Sequence, residues 1–278
     1  MSLSRLKLYN WTLRYLLCGL VALVVLLPLV AVLINGLKTA GELLNDPFSL
    51  PREFHWENYT SILTANSFWQ QQLNSLTVTV ATTVLVLAVS SMAAFIFARI
   101  SFPGREWLFN FYTLGLLFPL AVAILPIYLS LRQLNLLDNL LGVILPQVAF
   151  GLPLNVIILR NFFTAVPVEL EDAAYIDGCT PAGFFWRILP PLARPALATV
   201  AMLTIVSSWN GFLLPLLVLN KPELQTLPLG VMQFQGEYSS NWALIMAFVT
   251  LTLIPAIIFY LLAERHLIAG LTAGAIKG

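Results

Sequence analysis

A chain of 278 residues that is 59% hydrophobic and only 10% charged is not built as one large soluble core, because soluble domains carry about 25% charged residues. The net charge of +1 leaves no electrostatic footprint for nucleic acid. Two cysteines far apart in sequence, Cys18 and Cys179, make no disulfide framework and read as free thiols.

Apolar runs of about 20 residues are long enough to cross a bilayer. Six occur, at about 15–34, 73–98, 107–131, 139–163, 196–219 and 242–263. The expectation is an all-α integral membrane protein forming a single transmembrane domain over 1–278. Arg5, Lys7 and Arg14 precede the first run in the manner of a signal peptide. The run exceeds a typical h-region, and no small-x-small site follows Ile34, so a retained anchor is expected.

The stretch 35–72 carries Pro47, Pro51, His55, Trp56 and Trp69. These residues suit an interfacial loop with aromatic anchors and equally a docking surface for an extracytoplasmic partner. With the N-terminus inside and six crossings, ten basic residues fall on the cytoplasmic side: Arg5, Lys7, Arg14, Arg99, Arg105, Arg160, Arg187, Arg194, Arg265 and Lys277. Four fall outside: Lys38, Arg52, Arg132 and Lys221. The excess of cytoplasmic Lys and Arg predicts that both termini and the segment 164–195 are cytoplasmic.

Away from their ends the spans hold no Asp, Glu, Lys or Arg. A proton-coupled carrier ordinarily needs such a group at membrane depth, although sodium can be held by carbonyls and hydroxyls. The polar residues in the spans are neutral, among them Asn74, Ser75, Thr79, Thr82, Thr83, Ser90, Gln147, Asn155, Ser207, Ser208 and Asn210. Such groups hydrogen-bond a polyhydroxylated solute or bond between helices. There is no G-x-x-x-x-G-K-[ST] phosphate loop, so this chain is not expected to hydrolyse ATP. His55 and His266 have no ligand-spaced partners, and no nucleophile, acid–base pair or metal set appears. The chain is therefore expected not to be an enzyme.

The polar interruption at 166–195 holds Glu169, Glu171, Asp172 and Asp177, four of the thirteen carboxylates. Pro167 suits a helix start, with acids following in the first turns, where the helix dipole favours them. Ala173 and Ala174 favour helix, and Gly178 is a natural stop. A helix of about ten residues is too short to stand alone. Thr180 and Pro181 cap a second helix, with Phe184, Phe185 and Ile188 on one side. Pro190, Pro191 and Pro195 interrupt the pattern before the next span. The small residues permit close approach of another protein, and the acids disfavour a negatively charged leaflet. Docking of a partner is the expectation.

These residues resemble the EAA loop of ABC importer permease subunits: E-A-A, three residues, then G, followed by I-x-L-P. Ala173, Ala174, Gly178, Ile188 and Pro191 match, with Asp172 in place of Glu and Pro190 in place of Leu. Pro167-x-Glu169-Leu170-Glu171, Ile176-Asp177-Gly178, Trp209-Asn210 and Leu227-Pro228-Leu229-Gly230 resemble the carbohydrate-uptake branch. The ending Gly270 to Gly278 resembles the subunit type equivalent to the shorter maltose permease subunit. The resemblance implies a type I ABC importer permease fold in a bacterial or archaeal cytoplasmic membrane. It implies a second homologous permease subunit, two copies of an ABC ATPase subunit and an extracytoplasmic solute-binding protein. ATP and Mg are expected in the ATPase and no cofactor in this chain. Glu169, Glu171, Asp172, Ala173, Ala174, Asp177 and Gly178 would form the coupling helix. Gly274, Ala275, Ile276, Lys277 and Gly278 would reach the ATPase. Trp209 and Asn210 would border the pathway of a sugar or oligosaccharide. Another polar solute such as glycerol 3-phosphate is the alternative cargo, and a stand-alone secondary transporter the alternative class.

Overall fold

The computed structural model describes the backbone of residues 3–236 and 240–275, and side chains at 11, 13–236 and 240–261. Among the described residues the chain is almost wholly helical, with one isolated β-bridge between Gln235 and Ser240. It packs as two compact units: Met1–Phe68 with Gly230–Ile254, and Trp69–Leu229 with Pro255–Gly278.

In the first unit, α1 (Leu3–Asn35) is followed by α2 (Ala40–Asn45) and α3 (Glu57–Thr64). The apolar helix is exposed from Leu13 to Val30, in keeping with a helix whose backbone bonds are satisfied internally and whose side chains face lipid or another chain, while Asn35 at its end is buried. The loop beyond it is held by specific bonds. Asn58 Nδ2 donates to the carbonyls of Gly36 and Lys38, and Tyr59 Oη donates to the carbonyl of Leu33. Lys38 is fully buried, its Nζ donating to the Asp46 carbonyl at 2.9 Å.

The second unit contains α4 (Asn66–Arg99, from Trp69 onward), α5 (Arg105–Thr113), α6 (Leu120–Gln133) and α7 (Leu141–Ala165). Next come α8 (Val168–Ile176), α9 (Pro181–Leu192, with a π-helical stretch at Phe184–Ile188), α10 (Arg194–Trp209) and α11 (Leu213–Val218). The final helix α12 (Trp242–Ala275) continues past the expected end of the sixth span at 263. The core of this unit joins Val86 and Phe95 of α4, Val143, Val156, Leu159 and Phe163 of α7, and Phe184, Leu189, Val200 and Val218. Asn74 and Ser75 are committed to structure: Asn74 Nδ2 donates to the carbonyls of Glu223 and Gln225, and Ser75 Oγ accepts from Leu227 N.

Among the described residues four helices are long and apolar enough to cross a membrane, Leu13–Asn35, Asn66–Arg99, Leu141–Ala165 and Trp242–Leu261, or up to six if each of two bent pairs is one span. Two of the expected spans are interrupted. The third, drawn as continuous over 107–131, bends by 97° between Arg105–Leu117 and Leu120–Gln133. Pro119 lacks an N–H for the ladder, and Phe118 before it is pushed out of the helical region to φ −91°, ψ 103°. The fifth, drawn as 196–219, ends as α10 at Trp209 and resumes as α11 at Leu213. Continuation would set the Pro215 ring against the carbonyl of Gly211, four residues earlier. A bend of 80° also separates Pro181–Leu192 from Arg194–Trp209, so the second loop helix does not continue the line of α10.

The connection from α6 to α7 is sewn onto the end of α11. Asp138, at φ +51°, donates its N–H to the Val218 carbonyl, and its Oδ1 accepts from the N–H groups of Asn220 and Lys221. Gly142 lies under this connection. A Cβ there would meet the Leu136 carbonyl oxygen and come within 2.9 Å of Val218 Cγ1. Gly142→Ala is expected to destabilise the unit by about 1–3 kcal/mol, the usual cost of overpacking. A thermal unfolding midpoint in detergent equal to that of the unsubstituted protein would refute this.

Candidate functional site

The loop beginning at 166 folds into the two helices its residues predict, but Pro190 and Pro191 do not interrupt the second, which runs to Leu192. Pro195 lies in the first turn of the next helix, where its missing N–H costs nothing. Pro167 follows Val166, which takes the extended conformation (φ −66°, ψ 131°) and closes α7. The helix α8 carries Glu169 and Glu171 in its first turn, at the positive end of its dipole. It ends in a Schellman motif. Gly178 sits at φ +82°, its N–H donating to the Tyr175 carbonyl, while the N–H of Cys179 donates to the Ala174 carbonyl. Only a residue without Cβ adopts that backbone freely. Thr180 then caps α9, its Oγ1 accepting from Gly183 N at 3.1 Å. Phe184 and Phe185 turn inward; Phe185 packs on Phe95 of α4 and Phe184 on Tyr175 of α8.

One interaction fixes the direction in which α8 faces. Arg99, the last residue of α4, is buried with its Nη1 3.3 Å from Glu171 Oε2; the two side chains are 5% and 10% exposed. Its Nη2 donates to the carbonyls of Phe163 and Val166, both at 2.6 Å. Both carbonyls lie at the end of α7, and that of Phe163 also accepts from Val166 N. Tyr175 Oη donates to Glu171 Oε1 at 2.6 Å. Burial, reinforced by that carboxylate, pushes the Tyr175 hydroxyl up to about 12, so it remains a donor. A second brace lies nearby, where Arg160 of α7 bonds Glu106 at 2.6 Å with its guanidinium 3.8 Å over the Phe109 ring.

With Glu171 and Ala174 held inward, the opposite face of α8 is free. Glu169, Asp172, Ala173 and Ile176, spaced i, i+3, i+4 and i+7, are exposed, as is Asp177. Ile176 projects with 86% of its surface uncovered. Among the described residues neither Glu169, Asp172 nor Asp177 forms an ion pair. Of the seven residues assigned to docking, five face outward or close the helix, while Glu171 and Ala174 anchor it. Arg99 and Ile176 were not among them. Arg99 could have been suspected from its place at the end of an apolar run. Ile176 could have been found from its i+7 spacing to Glu169.

Trp209 is enclosed by protein, whereas Asn210 is exposed at the end of α10. Trp209 is buried with its ring 5.4 Å from that of Phe259, and Asn210 caps α10, its Nδ2 donating to the Val206 carbonyl. For Gly274 and Ala275 the backbone is helical, within α12; Ile276, Lys277 and Gly278 lie outside the described residues. No group of three or more metal-ligating side chains occurs among the described residues.

Arg99→Ala would leave the Glu171 carboxylate buried without its cation and take a donor from two carbonyls. The expected cost is about 3–5 kcal/mol, typical of breaking a buried pair from one side. Hydrogen–deuterium exchange should then rise selectively across 168–176. Unaltered protection there would remove Arg99 from its role as the tether.

Residues 90–272 match the family described as "Binding-protein-dependent transport system inner membrane component". The chain is 35% identical over 263 residues to the arabinooligosaccharides transport system permease protein AraQ of Bacillus subtilis (strain 168), covering 93% of each. It is 35% identical over 245 residues to the diacetylchitobiose uptake system permease protein DasC of Streptomyces coelicolor, covering 88% of this chain and 89% of that one. In fold it is similar to a chain of a bacterial ABC transporter involved in the import of the acidic polysaccharide alginate. That match has a TM-score of 0.81 at 24% identity and covers 96% of this chain and 99% of the other.

Proposed function

From the premise that this chain belongs to the family of binding-protein-dependent transport system inner membrane components, we propose that it is the permease subunit of an ATP-driven importer of a sugar or oligosaccharide. Relatives named for arabinooligosaccharide transport and diacetylchitobiose uptake support that cargo. The carrying observation is the outward face of α8. A short helix with unpaired carboxylates, a small residue at Ala173 and a projecting Ile176 is a surface made for contact.

In this reading the chain pairs with a second permease subunit, and two ATPase subunits bind MgATP beneath them. An extracytoplasmic binding protein delivers the solute. The α8 face seats in one ATPase, with both termini on the same cytoplasmic side. Closure of the ATPase pair displaces α8. Because Arg99 ties α8 to the ends of both α4 and α7, the displacement passes to two helices at once. Glu169, Asp172 and Asp177 give the contact its charge direction, and Gly178 ends the helix without widening it. The tail at Gly274–Gly278 makes a second ATPase contact.

Gly178→Asp puts a side chain and a charge at a left-handed position; nothing lies within 4 Å of an added Cβ, but the backbone of the turn is strained by about 1–2 kcal/mol. With assembly of the variant checked by co-purification with the ATPase, solute imported per ATP hydrolysed should fall at least about tenfold. Normal coupling in proteoliposomes would contradict the docking assignment. Uptake by this chain alone, with no ATPase present, would overturn the importer reading itself. Removing Gly274–Gly278 should lower stimulated ATPase activity without preventing membrane insertion; unchanged stimulation would exclude the tail contact.

A further inference from the structure

A cavity of about 440 Å³ opens among α4, α6, α7, α10 and the break between α10 and α11. That volume lies within the range of small-molecule sites, about 300–1,000 Å³. Thr82 at the middle of α4 lines it, with Gln147 and Asn155 of α7, Ser207 of α10, and Phe212 in the break. Not one lining residue is ionisable.

Its polar groups are only half used by the protein. Gln147 Oε1 accepts from Thr82 Oγ1 and Ser208 Oγ, while its Nε2 makes no hydrogen bond to the described residues. In either setting of that amide, one end is bonded between helices and the other is not. Asn155 is 4% exposed; its Nδ2 donates to the Gly151 carbonyl at 2.8 Å, and its Oδ1 is enclosed by protein, so Asn155 braces the wall. The Ser207 hydroxyl also has no partner among the described residues. At the break, Gly211 N turns to the Ser208 carbonyl. A Cβ at Gly211 would stand 3.0 Å from Gln147 Nε2, so glycine keeps the amide uncovered. Non-helical backbone at membrane depth is tolerated where it is buried or lines a cavity.

The geometry points to a binding subsite for one uncharged glycosyl unit within this subunit, a conclusion that rests on the sugar-importer reading above. The free end of the Gln147 amide and the exposed Ser207 hydroxyl supply the polar side. The Phe150 and Phe212 rings cover the apolar faces of the sugar. An acidic sugar would bring a carboxylate against a wall with no cation, and an unpaired buried charge is strongly disfavoured. The subsite therefore selects neutral units.

The test uses the full complex, with its ATPase, second permease and binding protein, in proteoliposomes. It is supplied with maltose, cellobiose and diacetylchitobiose, and with digalacturonate as the charged probe. For the neutral sugar imported best, Gln147→Leu is expected to lower uptake about tenfold, the scale of one lost hydrogen bond left uncompensated. Ser207→Ala removes an unpartnered hydroxyl and is expected to raise the apparent KM about threefold. Binding-protein-stimulated ATPase activity should stay within about twofold in both. Unchanged uptake in the two variants overturns the subsite, as does a loss matched by an equal loss of stimulated ATPase. Import of digalacturonate in preference to the neutral sugars also overturns it. Import by the unsubstituted complex of a neutral polar solute other than a sugar overturns the sugar reading instead, and the same variants then decide the cavity with that solute.

Discussion

The Arg99 guanidinium is the constraint on which the working geometry of this chain depends. A buried cation is costly unless paired and fully bonded. Here one Nη atom faces Glu171 while the other takes the carbonyls of Phe163 and Val166 at the end of α7, and Nε is left without a partner. Three segments are thereby fixed at one point: the end of α4, the end of α7 and the first turn of α8. Such an arrangement is better understood as specifying a direction than as adding stability. It decides which side of α8 is presented, and with it the roles of Ile176, Glu169 and Asp172.

The rest of the second unit is arranged around that corner. Charged side chains gather at one end of the helices, where Arg160, Glu106 and Arg99 sit beside the polar loop. Toward mid-helix only amides and hydroxyls remain, and most bond to backbone or to each other. A rigid charged corner and a neutral interior are what the proposed function needs, since force must enter at one end and an uncharged solute must pass through the middle.

The two interrupted helices are consequences of single prolines acting on their neighbours. Pro119 forces Phe118 out of the helical region, and Pro215 forbids the helix at Gly211. Both prolines are plain in the sequence. Whether a proline kinks a membrane helix or breaks it depends on whether neighbouring groups satisfy the freed backbone. That is a property of packing, which the apolar runs at 107–131 and 196–219 do not reveal. The same packing buries Trp209 on Phe259 and turns the residues on either side of it, Ser207 and Phe212, toward the cavity.

What the sequence determined by itself was local. Apolar runs identified the membrane segments, because hydropathy over about 20 residues is decided by composition alone. The helix–turn–helix of the polar loop followed from Pro167, Gly178, Thr180 and Pro181, because caps act through backbone geometry within a few residues. Only the tertiary structure decided which face of α8 is free. Its residues mix acids and apolar groups on both sides, so no amphipathic stripe points inward. The choice is made by Arg99, seventy-two positions before Glu171 in the sequence, and a contact at that distance is set by how helices pack and not by any pattern along the chain.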